Sequence, residues 1–593
     1  MRPMKMTRWL IVAALLTTFT AFAVDDAFHA AIGPLKTRWA KDVSPRKVWA
    51  EYPRPQMIRK DWLNLNGVWD YTIAETNVAR PLSYQGRILV PFPVESALSG
   101  VMRKLDEKSH LVYRRSFKIP KGWKDRHVLL HFGAVDWQTK VFINGAEAGV
   151  HRGGYDPFTF DITTALKSEG SQEIVVDVVD PTDKGGQPRG KQVRDPKGIF
   201  YTPTSGIWQT VWLEPVPETS LDDLLITPDL DHNALRVSAQ AWFGHGDEVV
   251  EAVAFANGRE VGRSSGKAGT ELQISIPQPK LWSPDHPFLY DLKIELRRGD
   301  ARLDSVTSYF AMRKINLGKD AKGITRPMLN GQFVFQVGPL DQGFWPDGIY
   351  TPPTDAAMRY DIEMTKKLGF NMTRKHVKVE PDRWYYYCDK LGLLVWQDMP
   401  SGNNKTQADK EEFERELRRL IATHRNHPCI VMWVVFNEGW GQFDTERLTG
   451  LVKEIDPSRL VNDATGWTDK NAGDVIDIHK YPGPGSPEPE ANRAAVLGEF
   501  GGLGLAVDGH TWTKTTWGYK GMANRQALTE GYVNLLSKVL ELKESSGLSA
   551  AVYTQITDVE TECNGLMTYD REILKPDLAA VAAANRKLQA DGK

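Results

Sequence analysis

Eight short apolar runs in the second half of this chain restrict its fold more than any other feature. They read FVFQVGP, NMTRKHV, LLVWQDM, IVMWVVFN, RLVNDAT, VIDIHKY, AAVLGEF and AAVYTQI, all beyond Asn316. Strands buried on both faces read as runs of this kind. Helical stretches separate several of them: EEFERELRRLIATHRN sets Phe413, Leu417, Leu420 and Ile421 on one face. DIEMTKKLG closes on Gly369, a helix C-cap signal. Eight strands in β-then-helix order within roughly 250 residues predict a (β/α)₈ TIM barrel, placed here at 315–590.

The first half has a different texture. From Trp49 to Pro215, short β-runs such as HVLLHFG, TKVFINGAEAGV and EIVVDVVD alternate with turn residues, and Asn144-Gly145 marks a type I′ hairpin. This predicts a jelly-roll β-sandwich over 45–216. The stretch 180–198, DPTDKGGQPRGKQVRDPKG, is Gly/Pro-rich and basic and reads as a long loop. A second β-rich stretch, 217–314, has the size of an immunoglobulin-like sandwich. Within it, Gly262 to Gly266 fits G-x-S-x-G, but lies among turn residues between strands and not at the strand-to-helix turn a serine nucleophile needs.

Composition narrows the function classes. A formal net charge of −1 gives no reason to expect nucleic acid as a partner. Arg2, Lys5 and Arg8, the apolar run Trp9–Phe22 and Ala21-Phe22-Ala23 together read as an export signal over 1–23. The protein is therefore expected to be periplasmic or extracellular, with no membrane span once the signal is removed. Cys388, Cys429 and Cys563 are too widely spaced for a disulfide framework or a metal knuckle and are read as buried thiols. No cofactor fingerprint or H-E-x-x-H motif occurs, so neither cofactor nor metal is expected.

In TIM barrels the reactive groups follow the C-terminal ends of strands. Strand four ends Phe436-Asn437-Glu438-Gly439-Trp440, and strand seven ends Leu497-Gly498-Glu499-Phe500. Each delivers one carboxylate to the same rim. Glycosidic bond cleavage needs that pair: one carboxyl group protonates the leaving oxygen while the other, ionised, attacks the anomeric carbon or activates water. Two close carboxylates also push each other's pKa values apart, which divides the roles.

At these residues the chain resembles glycoside hydrolase family 2, which contains β-galactosidases, β-glucuronidases and β-mannosidases. LNGVWDY, YRRSF, VFINGAEAGVHRGGYDPFTFDIT and SGIWQTVWLE are similar to its sugar-binding domain. LWSPDHPFLYDL and YFAMRKI resemble the end of its immunoglobulin-like domain, and GFNMTRKH, YYYCDKLGLLVWQD, HRNHPCIVMWVVFNEGW and VLGEFGG its barrel. The resemblance implies a retaining exo-β-glycosidase acting on an oligosaccharide or polysaccharide, with Glu438 as acid/base and Glu499 as nucleophile. It makes Arg374 the arginine that orients the nucleophile. It points to His479 and Tyr481 as a segment beside that nucleophile. His376 falls two residues after Arg374, where many relatives have a histidine at three.

Asn437 is placed to hold a sugar hydroxyl, and Trp440 to stack on a sugar or pack internally. Asp341 and Asp398, ending strands one and three, either bind non-reducing-end hydroxyls or cap the following helix. The sugar stays open. The activity is read as β-galactosidase-like, with a glucuronidase or another enzyme of anionic glycans as one alternative and an inactive carbohydrate-binding protein as another. Thr561 to Leu566 lacks the Asn-x-Lys that some members use for uronates, and Tyr201 to Thr204 lacks the Asp of galactose-specific members. Lys184, Arg189, Lys191, Arg194 and Lys197, with Lys375, Lys378 and Lys480 near strand ends, form either a solvated loop balanced by neighbouring aspartates, the reading favoured here, or a basic rim suited to an anionic glycan.

Overall fold

The computed structural model describes residues 28–76 and 83–590. The segment read as an export signal, 1–23, lies outside them. Among the described residues no helix is long and apolar enough to cross a membrane.

In the first sandwich a six-stranded antiparallel sheet runs in the order 86–90, 67–75, 109–117, 172–179, 138–143, 146–152. A four-stranded sheet, 63–64, 211–216, 127–132, 158–161, packs against it. Trp69, Tyr113, Val141 and Val176 from one sheet share a core with Leu130, Phe132 and Leu213 from the other. The hairpin expected at Asn144-Gly145 is present. Both residues have positive φ (49° and 90°), and Ile143 pairs with Ala146, as a type I′ turn requires.

The second sandwich sets a three-stranded sheet (220–229, 234–242, 271–275) against a four-stranded one (259–267, 249–256, 290–298, 301–310). Gly262 to Gly266 lies inside the strand Arg259–Lys267, so this G-x-S-x-G has no nucleophile elbow.

The barrel strands are β1 (Gln336–Asp341), β2 (Met372–Lys375), β3 (Leu394–Asp398), β4 (Ile430–Asn437), β5 (Leu460–Thr465), β6 (Val475–Lys480), β7 (Ala494–Gly501) and β8 (Ala550–Thr554). They form one parallel sheet in the order β5-β4-β3-β2-β1-β8-β7-β6. The seam between β5 and β6 is closed at its start by one backbone bond, the Asp474 amide to Val461 O at 2.8 Å, and by side chains: Asn462 Nδ2 donates to Asp477 at 2.7 Å and the Val461 amide donates to the Asp474 carboxylate at 2.8 Å.

Helices α1 (Asp355–Lys367), α2 (Asp382–Leu391), α3 (Gln407–His424), α4 (Thr445–Ile455), α5 (Arg525–Ser545) and α6 (Leu578–Gln589) surround the sheet. Thr406 and Asp409 form a reciprocal capping box at the start of α3. The helix buries Phe413, Leu417, Leu420 and Ile421, each contributing roughly 1.5–3 kcal/mol by removal from water. Cys388, Cys429 and Cys563 are buried free thiols, as expected.

The two sandwiches hold opposite ends of the barrel. From the second, buried Arg313 donates to the carbonyls of Pro428, Ile430 and Ser458, where β4 and β5 begin. From the first, the loop after residue 180 crosses the other end. The Arg189 and Gly190 amides donate to Ser401 O (2.9 and 3.0 Å), and the Thr202 amide donates to Glu560 (2.8 Å). The mouth carrying the strand-end residues is thus built from two domains.

Candidate active site

A register irregularity places the first carboxylate. β6 and β7 pair regularly to Ile478–Leu497; then His479 pairs with Glu499, leaving Gly498 as an extra residue. Such bulges re-aim the side chains that follow. Gly498 suits the position because its amide donates to Asp477 at 2.7 Å, and a Cβ there would lie 2.3 Å from the same carboxylate.

Glu499 is buried and fully engaged. Arg374 Nη1 donates to Oε1 at 3.1 Å and the Tyr481 hydroxyl donates to Oε2 at 2.6 Å. Burial alone would raise its pKa. The charges of His479, Arg374 and His376, with the Tyr481 hydrogen bond, overcome that and hold it well below the ordinary carboxylate value. Tyr481 keeps its proton because burial and the Glu499 charge raise its pKa. It also contacts Thr554 Oγ1 at 2.7 Å and stacks on Tyr519 with centroids 3.8 Å apart.

Glu438 stands one residue past β4 with φ at 51°, a left-handed conformation uncommon for a side chain of this kind. The Glu438 amide donates to Thr465 O at 3.0 Å, which fixes the turn. Its Oε1 lies 2.7 Å from His479 Nδ1, so one proton sits on that line whichever partner carries it. The same nitrogen is 3.5 Å from Glu499. Burial lowers the His479 pKa, but Glu499, the Glu438 hydrogen bond and Asp477 more than reverse this. One ligating atom from each of Glu438, His479 and Glu499 fits within 4.8 Å of the others, the one such cluster among the described residues and the set a metal ion would use.

Arg374 is the hub and has 0% exposure. Besides Glu499, it donates to Asp398 (2.9 Å), Asn437 Oδ1 (2.8 Å), Thr465 Oγ1 (3.0 Å) and Gly498 O (3.2 Å). Asn437 Oδ1 also accepts from Thr465 at 2.7 Å, leaving its Nδ2 as the donor end.

Asp398 does not present its oxygens to the mouth: they receive Arg374, His376 Nδ1 (3.2 Å) and the Val377 amide (3.3 Å). Neither does it cap a helix; it neutralises the arginine. Asp341 likewise accepts Lys375 Nζ (2.6 Å) and the Gly343 amide (2.8 Å). His376, despite its offset in sequence, lies 4.0 Å from Glu499. Trp440 stacks on Phe200 of the first sandwich at 5.4 Å.

The basic rim is smaller than its sequence suggests. Lys375 and Lys378 are buried and share Glu380 at 2.9 Å each. Arg194 pairs with Glu107 and Asp183, and Lys197 with Asp195. Thr465, Thr554, Tyr519 and Glu562 belong to the site and were not singled out from sequence. Thr465 and Thr554 end β5 and β8, so the strand-end rule would have found them had hydroxyls been considered beside ionisable groups.

Comparison with known proteins follows the same division of the chain. Residues 84–217 match the sugar binding domain of glycosyl hydrolases family 2, and residues 219–313 match a further domain of that family. Residues 354–482 match its TIM barrel domain. A β-galactosidase of Thermoanaerobacter pseudethanolicus is 26% identical over 452 residues, covering 69% of this chain and 58% of the relative. A putative β-glucuronidase of Formosa agariphila is 28% identical over 448 residues, covering 69% and 52%. The chain thus spans between half and three fifths of those relatives' length. The crystal structure of Ruminococcus gnavus β-glucuronidase has the same fold, with a TM-score of 0.71 at 19% identity, covering 91% of this chain and 100% of that one. With all three of its domain types matched in order, the chain belongs to glycosyl hydrolases family 2.

Proposed function

We propose that the protein is a retaining β-glycosidase that removes terminal sugars from oligosaccharides or polysaccharides. The observation that carries this is the carboxylate pair. Oxygens of Glu438 and Glu499 approach within 4.8 Å at the ends of β4 and β7. Retaining enzymes hold their carboxyl groups ~5–5.5 Å apart, whereas inverting enzymes leave ~6.5–9.5 Å for a water.

The environments divide the work. Glu499, held ionised by Arg374 and Tyr481, attacks the anomeric carbon. The proton on the Glu438–His479 contact passes through Glu438 to the glycosidic oxygen, and the aglycone leaves as an alcohol. In the second half, Glu438 takes a proton from water, the resulting hydroxide attacks the same carbon, and Glu499 departs as carboxylate. Asn437 Nδ2, fixed by its own occupied oxygen, is positioned as a hydroxyl donor beside the reacting carbon.

Two measurements test this. The first-formed product should be the β-anomer by proton NMR; an α-anomer would exclude a retaining mechanism. Glu438→Ala should lower kcat by about 10²–10⁴ on glycosides with alcohol leaving groups. It should do much less on 2,4-dinitrophenyl glycosides, whose leaving group needs little protonation. Equal losses on both would remove Glu438 from the acid role.

We also propose that the enzyme works outside the cytoplasm. A mature N-terminus near Val24 in exported protein supports that; an intact Met1 in fully active cytoplasmic protein contradicts it.

A further inference from the structure

The rim of the barrel mouth carries one tryptophan left in solvent. Trp467 is 66% exposed, and among the described residues no other tryptophan is classed with it on the open surface. The other rings of this mouth lie on partners: Trp440 on Phe200, and Tyr481 on Tyr519. The one ring neighbour of Trp467 among the described residues is His479, edge to face at 5.8 Å. That histidine is the one in contact with Glu438.

The backbone ties Trp467 to the proton donor. Thr465 O accepts the Glu438 amide at 3.0 Å, and Trp467 follows two residues later. Gly466, between them, has a φ of 85°. A Cβ on it would lie 3.3 Å from Glu438 Cγ and 3.2 Å from His479 Nδ1, so a side chain there would crowd both, and the positive φ suits glycine. The loop beyond is pinned on several sides. The Lys470 amide donates to Asp463 (2.9 Å), Gln442 Nε2 to Thr468 O (3.0 Å), and Arg493 to both oxygens of Asp469 (2.6 and 3.1 Å). The indole is thus held out in solvent by a fixed support, which lowers the ordering cost of anything that docks on it.

An indole is a large apolar surface with one polar edge, and covering it with a flat apolar face is favourable. Its location selects what covers it. Glu438 hands its proton to the glycosidic oxygen, so the group bonded through that oxygen begins at Glu438 and extends away from the sugar held at Glu499. The C–H face of a pyranose ring is flat and apolar, while its hydroxyls project from the edge and stay in water. A methyl or other small alkyl group offers no such face.

We propose that Trp467 is the platform for the sugar on the leaving-group side, so that the bond cleaved joins two sugar rings. This rests on the glycosidase reading and deepens it. Stacking there acts at a distance from the anomeric carbon: it holds the glycosidic oxygen at the Glu438 carboxyl group while the bond breaks.

The test compares substrates that differ only in the leaving group. The p-nitrophenyl β-glycosides of galactose, glucose, mannose and glucuronic acid identify the sugar that wild type releases. The disaccharides joining that sugar β to each hydroxyl of glucose are then set against its methyl β-glycoside. The methyl glycoside needs the same proton from Glu438 but has no second ring. In Trp467→Ala the ratio of kcat/KM for the best disaccharide to that for the methyl glycoside should fall about 30-fold, the scale of truncating a tryptophan at a binding contact. Trp467→Phe keeps a ring and should recover most of the ratio.

A ratio that Trp467→Ala leaves within about threefold, the range of ordinary surface substitutions, overturns the proposal. That holds also where both substrates lose rate equally, since the damage then lies at Glu438. A wild type that prefers the methyl glycoside overturns it too. So does a change in sedimentation with the ratio intact, which would place the indole at a contact between copies of the chain. If no p-nitrophenyl glycoside is hydrolysed, the glycosidase reading fails separately. Saturation-transfer NMR with the glucose disaccharides of all four sugars then decides the role of Trp467. Glucose-ring signals lost in Trp467→Ala uphold it, and signals absent or equal in both proteins reject it. Should Trp467→Ala fail to fold, Trp467→Gln removes the ring in its place.

Discussion

Replacing Glu499 by Gln is expected to lower kcat on every β-glycoside by a factor on the order of 10⁴ or more, the scale of removing an essential nucleophile. Glutamine has almost the same shape, and its carbonyl oxygen still accepts from Arg374, while its amide group replaces the oxygen that accepted from Tyr481 and can donate to that hydroxyl instead. Arg374 keeps Asp398, Asn437 and Thr465 as partners, so the fold should hold. What is lost is a charged oxygen able to form the glycosyl ester. Activated leaving groups should bring no relief, because the first bond to carbon cannot form. Azide gives a sharper readout. With Glu499→Ala it should enter from the nucleophile's side and yield an α-glycosyl azide. Glu438→Ala should instead give a β-glycosyl azide, by attack on the intermediate. A Glu499→Gln enzyme within about tenfold of wild type would refute the assignment.

Arg374→Met is expected to damage stability and activity together. It leaves Asp398 and Glu499 as buried carboxylates without their cation, a loss of about 3–5 kcal/mol for breaking such a network. Both carboxylates have folded pKa values lowered mainly because this charge and its neighbours outweigh the cost of burial. A depressed folded pKa contributes stability that is present above the unfolded value, near pH 4, and disappears as pH falls through the folded value. The difference in unfolding free energy between wild type and variant should therefore be largest near pH 7 and shrink below about pH 4. In activity, the acid limb of the kcat/KM profile should move to higher pH, since Glu499 then ionises less readily. A variant with an unmoved acid limb would mean that His479 and Tyr481 alone set the nucleophile's charge. Arg374→Lys should rescue only part, because a single ammonium cannot reproduce the planar fork that reaches Asp398, Asn437, Thr465, Gly498 and Glu499 together.

Local signals in the sequence reached far here. Buried parallel strands announce themselves as apolar runs, the rule that barrel chemistry follows strand ends picked out Glu438 and Glu499, and the family resemblance added Arg374, His479 and Tyr481. Those residues do converge at one mouth. Some parts of the fold were equally local: the Asn144-Gly145 turn, the Thr406 cap and the buried stripe of α3 each depend on a few neighbouring residues.

Partnership was another matter. Asp398 and Asp341 stand at strand ends like the reactive groups, yet each is consumed by a cation on the neighbouring strand β2. Lys375 and Lys378 read as a basic rim and are internal counter-ions. Counting positions from Arg374 had no bearing on His376. Its ring lies 4.0 Å from Glu499, held there by the Asp398 carboxylate 3.2 Å from its Nδ1.

The amino-acid order by itself determined that a barrel would form and which two glutamates would share its rim, because both follow from periodicities a few residues long. Only the tertiary structure decided what surrounds them. It supplied the bulge that sets Glu499 beside His479, the guanidinium on β2 that ties β3, β4, β5 and β7 to its own strand, and the Phe200 ring that arrives from another domain. Charge compensation in a buried site depends on distances through space, and those distances exist only once the barrel has closed and the sandwich has docked on it.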